Sequence, residues 1–242
     1  MGVTDSLVAV ILAAAVAVAL IIGILFSDHP RVKAVLLGID RLSTHVGQLF
    51  AWTILALTGV VVYEVTARYV FRAPTTWGYD VSYMLYGTLF MMAGAYALSR
   101  NGHVRGDFVY RMLSPRRQAG LDLLLYLIFF FPGIFALMIA GWHFFALSYA
   151  QNERSMFSPS GPVIWPFKGL IPVVGFLMLL QGIVEAVRCV QVLRHGAWPQ
   201  RLSDVQELEQ LILAAAEAKG AEALARDMAT RGDAAITGTT ER

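Results

Sequence analysis

Five apolar runs in the chain are long enough to cross about 30 Å of hydrocarbon at about 1.5 Å per helical residue. The first, Leu7 to Phe26, contains no charged residue. A cleaved signal peptide is the competing reading, but it requires a basic start and small residues at the cut. Residues 1–6 offer only Asp5, and Ser27-Asp28-His29-Pro30 is a poor cleavage site, so the run is expected to stay as a transmembrane helix. The second run spans about Val46 to Thr66 and the third about Val81 to Leu98. The fourth, Ala119 to Ala150, exceeds one span, and Pro132 inside it predicts a lost backbone hydrogen bond and a kink. The fifth follows Pro162, Pro166 and Pro172, which fit an irregular approach and first turn, and runs to about Cys189. Between the first two runs, residues 31–45 place apolar side chains at 32, 35, 36, 39 and 42 beside Arg31, Lys33 and Arg41. That stripe predicts a helix lying in the headgroup region.

Composition sharpens this into a class. The 242 residues are 57% apolar and only 15% charged, with mean hydropathy +0.60. A soluble domain needs about 25% charged residues to cover its apolar mass. The balance also excludes a disordered chain, a disulfide scaffold and a nucleic-acid-binding domain. What remains is an all-α integral membrane protein. Lysine and arginine divide unevenly between alternate connections: eleven fall in 27–45, 99–118 and 186–201, against four in 67–79 and 150–168. The richer set is expected in the cytoplasm, which puts the N-terminus outside and the C-terminus inside. The net charge of +2 hides an acidic tail. Within it Ser203-Asp204-Val205-Gln206 reads as a capping box, Val205, Leu208, Leu211, Ile212 and Ala215 continue one helical face, and residues from about Met228 onward read as disordered. The single cysteine, Cys189, can form no internal disulfide.

Ionisable residues avoid the centres of the runs. Glu64 and Arg68 stand four apart at one run's end, the better order for a helical ion pair, and Asp80 opens the third run. Asp122, Glu185 and Arg188 lie at the opposite ends. Interfacial anchoring and capping explain such positions without any substrate path. Five histidines raise the question of haem, which would need a pair at matching depth. His45 and His143 belong to opposite ends of their runs, while His29, His103 and His195 lie in loops or at a flank. His143 suits a polar contact in a helix interface. No nucleotide, hydrolase or redox motif is present, and no internal repeat.

Between residues 68 and 107 the sequence becomes distinctive. Arg68-Tyr69-Val70-Phe71 closes the second run and Trp77-Gly78-Tyr79-Asp80 opens the third. Gly94-Ala95-Tyr96-Ala97-Leu98 ends it, and Arg100-Asn101-Gly102-His103-Val104-Arg105-Gly106-Asp107 follows. This order resembles the small membrane subunit of the TRAP (tripartite ATP-independent periplasmic) transporters, the DctQ type. Ser158-Pro159-Ser160-Gly161-Pro162 and Trp165-Pro166-Phe167-Lys168 also look like the family's approach to its last helix. Three features depart from the pattern: Asp80 replaces a glutamate, shortening its reach; the first run is additional; so is the tail. The residues also admit plain readings. Arg68 can pair with Glu64 and snorkel, Tyr69, Phe71 and Trp77 can form an aromatic belt, and Gly102-His103 can brace a turn or touch a partner.

The resemblance implies a bundle of four family-type transmembrane helices at about 46–66, 81–98, 119–150 and 167–189, within a membrane domain spanning 31–200. An extra transmembrane helix over 1–30 precedes it, and an acidic tail over 201–242, helical then disordered, follows. It further implies a non-catalytic scaffold of a sodium-coupled importer of an organic anion. The expected partners are a large elevator-type membrane subunit, which holds the substrate and sodium sites, and a periplasmic binding protein. No cofactor, metal or nucleic acid is expected in this chain. The alternative is a membrane anchor of a redox enzyme, with His45 or His103 helping to hold haem at a partner interface; a free-standing structural protein is the third reading.

Overall fold

The computed structural model describes residues 3–26, 29–100, 110, 112–158, 161–199, 215–217 and 219. Those residues form helices joined by loops, with a lone β-bridge between Arg154 and Val163. The chain divides into two units, Met1–Leu202 and Ser203–Arg242. In the second, the described residues 215–217 and 219 are helical, and the capping box and disordered end expected of the tail lie outside the described residues.

The first unit opens with α1, Val3–Leu25. Helix α2, Pro30–Ala51, begins where the His29 ring accepts from the Arg31 N–H and Pro30 supplies a preset first turn. The helix expected over 31–45 therefore continues, and the break before the next helix falls at Trp52. Trp52 itself stays near helical geometry, so α3, Thr53–Tyr69, follows as part of a 40-residue stretch. Only Leu36, Asp40 and Ser43 are buried in α2, whereas Val35 and Leu42 are exposed. The inward face is thus rotated away from part of the apolar stripe, because polar partners pull it there.

Helix α4 is Gly78–Ser99. Then come α5, Pro115–Leu125, a π segment at Tyr126–Phe130, and α6, Phe131–Ala150. Pro132 has no N–H to offer the preceding turn, and the disturbance expected there takes the form of the widened π turn just before it. Helix α7, Trp165–His195, ends at Gly196, whose φ of 80° is favoured only for glycine. Pro166 lies in its first turn as expected; Pro172 does not, and removes a hydrogen bond from inside the helix. Among the described residues, four helical stretches are long and apolar enough to cross a membrane: Pro30–Tyr69, Gly78–Ser99, Pro115–Ala150 and Trp165–His195.

Close approach rather than solvent exclusion holds such helices together in lipid. A Cβ on Gly175 would come within 2.6 Å of Met138, and one on Gly182 within 2.2 Å of Phe130. These contacts run the π segment and α6 antiparallel to α7. Helix α1 joins them through Val16, which packs with Phe131, Ile134, Leu179 and Ala186. At one end of the bundle α3 and α6 finish while α4 and α7 begin; this is the Asp80 end. At the opposite, Asp40 end, α2 crosses against α4 and α7.

Candidate functional site

The Glu64–Arg68 spacing on α3 forms the pair it suggests, with Arg68 Nε donating to Glu64 Oε1 at 3.1 Å. The other carboxylate oxygen reaches into the loop, accepting from the Thr75 N–H at 3.2 Å and from the Thr75 hydroxyl. That hydroxyl in turn accepts the N–H of Gly78 at 3.1 Å. A Cβ at Gly78 would lie 2.6 Å from Thr75 Oγ1 and 2.8 Å from Glu64 Oε2, so only glycine lets α4 start against α3 here. Trp77 stacks on Tyr63, with centroids 5.8 Å apart, whereas Tyr69 and Phe71 are exposed.

In the first turn of α4, Asp80 is buried and clasps the loop between α6 and α7. The hydroxyls of Ser155 and Ser158 donate to its two oxygens. Asn152, at φ 45°, ends α6 so that the Glu153 N–H returns to the Ser148 carbonyl at 3.0 Å. Glu153 then pairs with Lys168 at 2.5 Å. The Lys168 ammonium holds the Glu153 carboxyl below the usual carboxylate range. It also sits 3.7 Å from the centroid of the Phe144 ring. Beside this clasp is a cavity of about 490 Å³, lined by Tyr83, Phe90, Phe144, Phe167 and Lys168 among others.

The Asp40 end holds a network that the sequence reading missed. Arg188 donates to Glu185 at 2.6 Å and to Asp40. Gln181 donates to Asp40 at 2.9 Å and accepts from Ser43 at 2.9 Å. All five side chains are buried. Glu185 and Arg188, expected as anchors at a span end, are therefore interior groups that join α7 to α2. The signal was present: Gln181, Glu185 and Arg188 share one helical face, and so do Asp40 and Ser43.

A Cβ at Gly94 would come within 3.4 Å of Met178, ordinary contact, and Arg100 stands over the Tyr96 ring at 5.4 Å. Gly102, His103 and Asp107 lie outside the described residues. His45 bonds the Arg41 carbonyl at 2.7 Å. Its neighbour Ser43 meets α7 at Gln181, whereas Gly141, near His143, meets α7 at Ile171. Those levels are ten residues, about 15 Å, apart, so the two histidines are not brought together. Among the described residues no three His, Cys, Asp or Glu side chains gather as metal ligands.

The arrangement is one of clasps: buried Asp40 and Asp80 each close on a neighbouring element, and Glu185 holds the Arg188 that reaches Asp40. A search of curated proteins finds no match to the chain. The family model described as tripartite ATP-independent periplasmic transporters, DctQ component, matches residues 57–192, more than half of the chain.

Proposed function

The chain belongs to the DctQ component family of the TRAP transporters, and from that premise we propose that it is the non-catalytic small membrane subunit of a sodium-coupled importer of an organic anion, a carboxylate. A large membrane subunit carries the sodium and substrate sites and moves against this chain as a fixed scaffold. A periplasmic binding protein delivers the anion at the Asp80 end. The excess of lysine and arginine in alternate connections supports placing the C-terminus in the cytoplasm of an inner-membrane protein, with the N-terminus outside.

The observation that carries the scaffold reading is the closure of the interior polar groups on one another. Asp40, Glu185, Arg188 and Gln181 satisfy themselves between α2 and α7, and Asp80 is held by two serines. Charges spent in fixed contacts brace helices; a carried ion needs ligands that open. The test is uptake by vesicles containing the large subunit, with binding protein and radiolabelled mono- and dicarboxylates outside, under an inward sodium gradient. Sodium-dependent accumulation is expected only when this chain is present. Equal uptake without it overturns the reading.

A further inference from the structure

The exposed surfaces of α3 and α4 differ in chemistry. On α3 the exposed residues are mostly aliphatic, among them Ile54, Leu55, Val61, Val62 and Val65, and the exposed Tyr63 between them is stacked on Trp77. On α4 the exposed row is Tyr79, Tyr83, Tyr86 and Phe90, at spacings of four, three and four that keep it on one helical face. Tyr83 is 56% exposed, Tyr86 61% and Phe90 74%. At about 1.5 Å per residue, Tyr86 lies roughly 12 Å below the start of α4 and Phe90 roughly 18 Å. Tyr79, at the helix start, can reach headgroups. Tyr83 and Tyr86 cannot do so equally, and neither phenol has a hydrogen bond among the described residues.

A bare hydroxyl in hydrocarbon costs several kcal/mol, and acyl chains offer no acceptor. Tyr83, about 7.5 Å below the start of α4, can lean back toward the interface, whereas Tyr86 lies deeper, where membrane-embedded protein can supply the acceptor. The shape agrees with that requirement. The cavity of about 490 Å³ opens beside the row, lined by Tyr83, Tyr86 and Phe90 on one side and by Phe144 and Phe167 on the other. Tyr83 is braced edge-on against Phe167, which fixes its ring before any partner arrives. At the Asp80 end Phe157 packs edge-on to Tyr79 and extends the exposed aromatic surface beyond the helix.

We propose that the Tyr79–Tyr83–Tyr86–Phe90 face of α4, with the cavity beside it, is the surface on which the large membrane subunit docks, through a transmembrane helix that offers carbonyl or hydroxyl acceptors to Tyr83 and Tyr86 and a side chain to the cavity. The inference rests on the transporter reading given above. It assigns α3's aliphatic face to lipid.

The test uses the full complex in membranes, with the large subunit tagged. Tyr83, Tyr86 or Phe90 is replaced by the photoreactive p-benzoylphenylalanine, and Val61 or Val62 on α3 serves as the control. Illumination is expected to join the two subunits from the three α4 positions and from neither control. Tyr83→Phe with Tyr86→Phe, which keeps the rings and removes the hydroxyls, is expected to lower co-purification several-fold. Intact co-purification with crosslinks from α4 to phospholipid alone, or from α3 instead, overturns the docking surface and leaves the transporter reading standing. Failure of the unaltered chain to co-purify with the large subunit overturns both.

Discussion

Arg188 is enclosed by two carboxylates from different helices, and none of the three could be buried alone. Removing one member of a buried charged network typically costs about 3–5 kcal/mol, because its partners are left unpaired, whereas replacing all members with apolar groups is often neutral. Arg188→Met is therefore expected to lower the melting temperature sharply in detergent. Asp40→Leu, Glu185→Leu and Arg188→Met together should recover most of the loss. The neighbouring Cys189, buried and the only cysteine, supplies the readout through its reaction with a maleimide dye on unfolding. An unchanged midpoint in the single variant would remove the network from the account of stability. Residue pairs differ in how legible they were. Glu64 and Arg68 declare themselves by spacing, since a helix brings residues four apart together. Asp40 and Arg188 are 148 residues apart, and no local pattern links them. Asp80 was read as a cap at the start of its helix; the serines that close on it come from a loop 75 and 78 residues later.

The packing of α6 and its preceding π segment on α7 is set by the smallest residues, and Gly182 is the tightest of them. A methyl group there must displace the Phe130 ring, which is itself held edge-on by Tyr126 and Phe131. Overpacking of this kind costs about 1–3 kcal/mol. Gly182→Ala is expected to lower the unfolding midpoint, and Phe130→Leu in the same chain to restore part of it. If Gly182→Ala melts with the unaltered protein, the helices are not held at this contact. The helices themselves were legible, because length and hydropathy are local properties of a span. Their irregularities were legible only in part. Pro132 announced a disturbance but not that a π turn would absorb it, and Pro172 looked like a terminal proline because nothing in the sequence fixes where α7 begins. The rotation of α2 was hidden more deeply. Val32, Leu36 and Ile39 of its apolar stripe pack inward, but Asp40 and Ser43 turn in beside them toward Gln181 and Arg188 and leave Val35 and Leu42 outside.

Across the whole molecule, α1 lies outside the family match and covers an apolar strip of α6 and α7, where Gly23 approaches Val187. Lipid chains can replace an apolar helix at such a surface with little loss, because no hydrophobic force favours protein over lipid there. A chain lacking residues 2–28, which keeps the His29 cap, is expected to insert and to melt within a few degrees of the full chain. Aggregation or degradation of that shortened chain would show that α1 is needed to hold the rest together. The Asp40–Arg188 contact has another meaning when the chain is considered as it leaves the ribosome. At about 5–20 residues per second, α7 emerges roughly 7–30 s after Asp40. During that interval the aspartate has no arginine, and the helix that bears it can remain at the water boundary by virtue of its amphipathic faces. The last span then arrives carrying a glutamine, a glutamate and an arginine that hydrocarbon alone would resist. Biogenesis thus runs as a latch set early and closed late, with the helix made near the beginning serving as the receptor for the one made at the end.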